Sequence, residues 1–112
     1  MARIYVIGPV TGREDGNIAA FMDARKQLMA LGHDADLPHD FIRGGAPWEE
    51  AMRTSLRHLA TGRADGRPFF DGVARLEGWQ ESRGAALESA CAIAMGIRTM
   101  DLGEWLAMEG GE

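Results

Sequence analysis

The 112-residue sequence alternates short apolar runs of strand character with longer segments of helical spacing, and this alternation limits the chain to few folds. A strand, a helix and a second strand in succession form a right-handed crossover between parallel strands. Because such crossovers place helices on both faces of a sheet, the pattern predicts an α/β fold with a covered parallel sheet. The predicted strands are residues 3–8, 33–37, 71–76 and 97–102, and the predicted helices are residues 17–31, 47–59, 82–96 and 104–108.

Length and composition restrict the partners of the chain. A chain of this length corresponds to one domain, here residues 1–112. Its formal net charge of −5 argues against binding to a nucleic-acid polymer, which needs a basic surface. No apolar run approaches the ~20 residues of a membrane span, and the one cysteine, Cys91, excludes an internal disulfide. We therefore expect a cytoplasmic protein that binds neither nucleic-acid polymers nor membranes.

The segment GWQESRGAALESACAIAMG, residues 78–96, carries the strongest functional signal. Its helix begins after Ser82, a favourable N-cap, and the free N–H groups of the following turn can hold an anion such as a phosphate. Small side chains leave the surface before Glu88 open, and Glu88 lies about 9 Å along the axis from Ser82. These features suggest a nucleotide, with its 5′-phosphate at the cap and its sugar at the carboxylate. The candidate binding residues are Ser82, Arg83, Gly84 and Ala85.

Glu88 also has a purely structural interpretation. An acid near a helix N-terminus is favoured by the helix dipole and can simply face solvent. However, Glu88 borders an apolar stripe that includes Leu87 and Cys91, and the uncharged run of residues 89–97 follows it. This position favours a functional carboxylate.

The first predicted strand ends in the loop GPVTG, residues 8–12. Ligands of open α/β sheets bind beyond the carboxyl ends of the strands, so Gly8, Pro9 and Thr11 are candidate contacts of the substrate. The loop lacks the Gly-Lys-Ser/Thr ending of a P-loop. Tyr5, within the strand, is either a core ring or a ring whose hydroxyl reaches a nearby acid.

The third predicted strand follows the polar, glycine-rich segment TGRADGR, residues 61–67, which predicts a prominent loop. Arg63 and Arg67 could reach a phosphate from this loop, although loop arginines more often face solvent. Asp71 comes at the start of the strand, which is an awkward place for a catalytic group in such a sheet.

Neither a metal nor a redox cofactor is expected. His33 and His39 have no cysteine or clustered acid at metal-ligand spacing, so surface or loop histidines are the better interpretation.

Taken together, the motifs resemble the DUF4406 group of small phage and bacterial proteins, within the nucleoside 2-deoxyribosyltransferase-like superfamily. The resemblance implies a flavodoxin- or Rossmann-like doubly wound parallel sheet of four to five strands in three α/β/α layers, usually oligomeric. Characterised relatives cleave or exchange N-glycosidic bonds of deoxynucleosides or their monophosphates. The motifs are IYVIGPVTG near the start, Asn17 with Phe21, Pro47-Trp48-Glu49, Asp71-Gly-Val, Gly78-Trp79, Ser82-Arg-Gly-Ala with Glu88, and the LGEWL of residues 102–106.

The same resemblance implies roles for individual residues. Glu88 matches the nucleophilic glutamate and Tyr5 the tyrosine beside it, while Gly8 and Pro9 match the loop below the base and sugar. Asp71 most nearly matches the aspartate that handles the leaving base.

Two positions distinguish the branches of that superfamily. At the position of Ser82 the nucleoside transferases carry an aspartate that reads a free 5′-hydroxyl, whereas the 2′-deoxynucleoside 5′-phosphate N-hydrolases carry a serine on the phosphate. The transferases also use an asparagine near the C-terminus of a neighbouring subunit, and the only asparagine here is Asn17. Ser82 thus resembles the serine of the hydrolases, and the missing asparagine argues against transferase activity.

The expected function is hydrolysis of the N-glycosidic bond of a nucleoside 5′-monophosphate, with a 2′-deoxynucleoside 5′-monophosphate favoured. In this reaction Glu88 is the nucleophile, Asp71 the acid or base, and Tyr5 orients Glu88. The alternatives are a nucleoside deoxyribosyltransferase, a protein that binds a nucleotide without chemistry, and a structural subunit with its three tryptophans exposed in one patch. A homodimer or larger homo-oligomer is expected, since a small domain with a shallow crevice often borrows residues from a neighbour.

Overall fold

The computed structural model describes residues 1–108. Each predicted strand and helix is present in this part of the chain, and only the last helix begins earlier than predicted, at Leu102. The Glu104 carboxylate accepts a hydrogen bond from the Asp101 N–H at 3.0 Å, which fixes that earlier start. The strands are β1 (Arg3–Ile7), β2 (Asp34–Asp36), β3 (Gly72–Arg75) and β4 (Arg98–Asp101), and the helices are α1 (Ile18–Ala30), α2 (Trp48–Leu59), α3 (Arg83–Ala94) and α4 (Leu102–Ala107).

The four strands form one parallel sheet in the order β2-β1-β3-β4. β1 lies in the interior of the sheet, where Tyr5 is in register with Asp36 of β2 and with Val73 of β3. β2 lies on one side of β1, whereas β3 and β4 lie on the other. The carboxyl ends of β1 and β3 therefore flank the topological switch point, at which such sheets bind ligands.

Helices cover both faces of the sheet, because successive side chains of β1 point to opposite sides. On one face Ile4 and Val6 pack against α1 and α4, and on the other Tyr5 and Ile7 pack against α2 and α3. The predicted three-layer α/β/α architecture is therefore confirmed. No helix within residues 1–108 has the length and apolar character needed to cross a membrane.

The packing of α4 on the sheet depends on the absence of a side chain at Gly72. A Cβ atom at this position would lie 2.3 Å from the ring of Trp105, so only glycine permits this approach. The Trp105 indole N–H donates to the Val73 carbonyl at 2.9 Å. Trp105 is thus a buried anchor of the fold.

Candidate active site

A cavity of about 850 Å³ lies at the carboxyl edge of the sheet. Its walls are the loops that follow β1, β2 and β3, together with one side of α2 and the first two turns of α3. This is the location that the strand order favours for a ligand. Of the candidate residues, the structure brings these to the cavity lining: Gly8, Pro9, Thr11, Ser82, Arg83, Gly84, Ala85 and Glu88.

Glu88 projects from the second turn of α3 and is only 7% exposed, yet it lines the cavity. Burial raises the pKa of its carboxyl group to about 7, because a charged carboxylate is poorly solvated there. The interpretation of Glu88 as a solvated surface acid is therefore wrong.

Two hydroxyl groups connect Glu88 to the sheet. The Ser55 hydroxyl on α2 donates to Oε2 of Glu88, and the Tyr5 and Ser55 hydroxyl oxygens lie 2.7 Å apart. Because a hydroxyl has one proton and that of Ser55 is used on the carboxylate, Tyr5 is the donor to Ser55. Tyr5 thus contacts Glu88 through Ser55, whereas the sequence suggested a direct contact.

Tyr5 is well suited to be the first donor of this chain. Its side chain is fully buried, and burial together with the nearby Glu88 carboxylate holds the pKa of Tyr5 well above its usual range. The phenol therefore keeps its proton.

Sequence reasoning did not identify Ser55 as a site residue. It is 2% exposed and lies between Met52 and Leu59 on the buried side of α2. A polar residue in the middle of an apolar helical stripe was the available signal, since a buried hydroxyl needs a hydrogen-bond partner.

The N-terminus of α3 forms the polar end of the cavity. The Ser82 Oγ accepts a hydrogen bond from the Ala85 N–H at 3.2 Å, which makes Ser82 the N-cap. Its own hydroxyl proton can still be donated to a ligand. The guanidinium carbon of Arg83 lies 4.0 Å from the ring centroid of Trp48, and both residues line the cavity.

Gly84 allows α2 and α3 to meet closely at this end of the cavity. A Cβ atom at Gly84 would lie 3.1 Å from Sδ of Met52, which is tighter than ordinary packing. The small residue therefore keeps the first turn of α3 open toward the cavity and close to α2.

The loop after β1 forms a fixed wall. The Asn17 amide donates to the Pro9 carbonyl at 2.9 Å, and the His39 ring nitrogen Nε2 lies 2.8 Å from the Gly16 carbonyl, to which it donates. Three successive residues, 15–17, have left-handed backbone angles, so these two side chains hold a conformation that the chain alone disfavours.

Comparison with known families gives a match over most of the chain. The family model of a domain of unknown function, DUF4406, matches residues 2–101. The chain belongs to the DUF4406 family. No curated protein matches it.

Solved structures similar to this DUF4406 member include two deoxyribosyltransferases. The 2-deoxyribosyltransferase of Bacillus psychrosaccharolyticus has 19% identity and a TM-score of 0.61, with 88% of this chain and 70% of that chain covered. The 2-deoxyribosyltransferase of Leishmania mexicana has 16% identity and a TM-score of 0.63, with 90% and 63% covered. At these identities the likeness establishes a shared fold.

The prediction that Asp71 assists the reaction is not supported in this DUF4406 chain. Asp71 precedes β3 and lies at the amino edge of the sheet, where its Oδ2 accepts from the Arg3 N–H at 2.8 Å. Its Oδ1 pairs with Arg63 at 3.2 Å. Asp71 and Arg63 line a separate cavity of about 170 Å³. The parallel topology explains this separation, because the start and the end of a strand lie at opposite edges.

The remaining expectations concern tryptophans and metals. Trp48 lines the cavity and Trp105 of α4 is buried against the sheet, so the three tryptophans do not form one exposed patch. Among residues 1–108, no group of three or more His, Cys, Asp or Glu side chains is arranged to hold a metal ion.

Proposed function

We propose that this protein hydrolyses the N-glycosidic bond of a 2′-deoxynucleoside 5′-monophosphate, with Glu88 as the nucleophile. The observation that carries the proposal is the buried carboxylate of Glu88 on the cavity lining, less than two helical turns from the capped N-terminus of α3. A nucleophile and an anion site on one helix match a substrate that has a reactive sugar carbon and a phosphate. The 2′-deoxy sugar is proposed because the two structurally similar enzymes are 2-deoxyribosyltransferases.

The two oxygens of Glu88 have different environments. Oε2 accepts the Ser55 hydroxyl, whereas no residue within the described chain donates to Oε1. In the proposed reaction Oε1 bonds to the anomeric carbon, and the electron pair of the broken C–N bond leaves with the base, which takes up a proton. Water then cleaves the sugar–enzyme ester, so that the net reaction consumes one water and releases free base and sugar phosphate.

The phosphate is assigned to the N-terminus of α3. The Ser82 hydroxyl, the free N–H groups of the first turn and the Arg83 guanidinium converge there, and each can donate to a phosphate oxygen. Two further arginines, Arg13 and Arg43, line the same cavity and add positive charge. An aspartate at position 82 would repel the phosphate, which is why the serine favours monophosphates over nucleosides.

The test is a panel of deoxy- and ribonucleoside 5′-monophosphates and the unphosphorylated nucleosides, with free base measured by chromatography. We expect base release from a monophosphate, none from its nucleoside, and none with Glu88→Gln, which keeps the shape but removes the nucleophile. Glu77→Gln is the matched control, since Glu77 is exposed and outside the cavity lining. Repeating each reaction with a different free base added distinguishes hydrolysis from exchange, because a transferase would attach the added base to the sugar and form a new nucleotide.

A second candidate function is nucleotide binding without cleavage. The observation that favours it is the position of Asp71, which leaves the proposed acid at the far edge of the sheet. Asp15, Glu81 and His39 are the other titratable groups on the cavity lining that could give a proton to the base, so for hydrolysis the proton comes from one of them or from water. If no base is released, calorimetric titration with the same panel tests binding directly.

A further inference from the structure

We propose that Ser55 is a positioning residue that favours the ionised form of Glu88 and directs its free oxygen Oε1 into the cavity. The proposal rests on the proposed role of Glu88 as a nucleophile, and it concerns a residue on a different helix. The hydrogen-bond chain from Tyr5 through Ser55 to Glu88 carries the argument.

The direction of this chain is fixed by chemistry. An ionised carboxylate only accepts hydrogen bonds, so the Ser55 proton must point to Glu88, and the Ser55 oxygen must then accept from Tyr5. If Glu88 were protonated on Oε1, Oε2 would still accept the Ser55 proton, but a hydrogen bond to a neutral carboxyl group is weaker than one to a carboxylate. The Ser55 donor therefore favours the charged form of Glu88.

The hydrogen-bond chain also engages only one oxygen of the Glu88 carboxylate. Ser55 engages Oε2 from the α2 side, and Tyr5 is held in the sheet by Phe41 and Phe70, whose ring centroids lie 5.9 and 5.3 Å from its own. A tyrosine fixed in this way cannot follow a movement of the carboxylate. Rotation of Glu88 about its terminal bond would break the contact with Ser55, so Oε1 stays available to a substrate.

Two charged or titratable side chains outside the cavity lining lie near this hydrogen-bond chain. Arg75 of β3 donates to the hydroxyl of Ser89, the neighbour of Glu88, and the His58 ring of α2 has its centroid 5.9 Å from that of Tyr5. Ser55 is the one group in the described chain that donates a hydrogen bond to the carboxylate. The titratable or charged residues that line the cavity are Arg13, Asp15, His39, Arg43, Glu81, Arg83 and Glu88 itself.

The test measures the ionisation of Glu88 without any substrate. The side-chain carboxyl signals of protein labelled with ¹³C-glutamate are followed against pH, and the signal missing in Glu88→Gln identifies Glu88. We expect Ser55→Ala to move the titration midpoint upward by about one pH unit, because a hydrogen bond to the charged form is lost. Ser55→Thr, which keeps the hydroxyl, should restore the wild-type midpoint.

Ser89→Ala is the matched control. Ser89 is also 2% exposed and adjoins Glu88 in α3, but its hydroxyl pairs with Arg75. This variant should leave the midpoint of Glu88 unchanged. Equal midpoints in Ser55→Ala and Ser89→Ala would overturn the proposal.

Removal of Ser55 alone leaves the buried Tyr5 hydroxyl without its partner, which costs stability. The double variant Tyr5→Phe/Ser55→Ala removes both hydroxyls and supplies the same measurement without an orphaned polar group. Its midpoint should also rise, and an unchanged midpoint in this variant would contradict the proposal.

Activity provides a second, separate readout. If the midpoint rises from about 7 by one unit, kcat/KM of Ser55→Ala at pH 7 should fall about fivefold and approach the wild-type value near pH 9. A midpoint shift without any base release supports the role of Ser55 while the proposed hydrolysis fails. Base release with an unmoved midpoint supports the proposed hydrolysis, while the proposed role of Ser55 fails.

Discussion

At the scale of single residues, the site depends on a carboxylate that is buried away from water. Glu88 is buried on a helix whose apolar neighbours pack on the sheet, and burial favours its neutral form. The charged form of such a group lowers the stability of the folded protein. Its retention is easier to understand as a requirement of chemistry than of folding.

This cost predicts a specific dependence of stability on pH. The pKa of Glu88 is about 7 in the folded protein and near 4.5 in the unfolded chain, so the folded state binds the proton more tightly. The contribution of this tighter proton binding to the free energy of unfolding is fully present below pH 4.5, declines as pH rises, and is lost above pH 7. Relative to Glu88→Gln, the wild type should lose about 3 kcal/mol of unfolding free energy between pH 4 and pH 8.

Urea unfolding of both proteins across this pH range measures the difference. Glu77→Gln, at an exposed position, should follow the wild-type curve. A difference between the wild type and Glu88→Gln that does not change with pH would show that Glu88 is solvated in solution.

At the scale of elements, the helices and strands could be predicted because each has a periodic pattern and a local signal at its ends. Ser82 before α3 and Pro47 before α2 are such signals, and both helices begin where these residues indicate. The contact between Ser55 and Glu88 could not be predicted in the same way. The two residues are 33 positions apart in the sequence and belong to different helices, so whether they meet depends on how both helices pack on the sheet. Asp71 was assigned to the site for a related reason, since a motif match gives order along the chain and not the edge of the sheet.

The N-terminus of α3 allows its structural and binding roles to be separated. Ser82→Ala should lower the unfolding free energy by about 1 kcal/mol through loss of the cap, while Ser82→Asp, also a good cap, should keep it. The added charge in Ser82→Asp should raise KM for the monophosphate at least tenfold, since two anions would meet at one helix end. Ser82→Asn caps without charge and serves as the control. Equal KM values for the Asp and Asn variants would place the phosphate elsewhere.

At the scale of the whole molecule, the parallel sheet separates two kinds of residue. The carboxyl edge holds the cavity with Glu88, and the amino edge holds Asp71, which joins β1 to the loop before β3 through Arg3 and Arg63. Residues at the second edge should act on stability alone. The predicted homo-oligomer belongs to this scale as well and stays a prediction, which light scattering at micromolar concentration tests.

Asp71→Ala tests the separation of the two edges. Loss of the hydrogen bond to the Arg3 N–H should lower the unfolding free energy by about 1 kcal/mol. Base release by the variant should remain within about twofold of the wild type, because no contact links Asp71 to the cavity. A fall of two orders of magnitude in kcat with little loss of stability would return Asp71 to the reaction.

The buried position of Tyr5 also has an optical consequence. Tyr5 is the only tyrosine of the chain, so all tyrosinate absorbance in the near ultraviolet originates from it. Burial and the Glu88 charge keep the pKa of Tyr5 above its usual range, so the folded protein shows no tyrosinate absorbance at alkaline pH values at which a solvated tyrosine would ionise. Tyrosinate absorbance in this protein therefore reports the opening of the sheet around β1, and it does so without any added label.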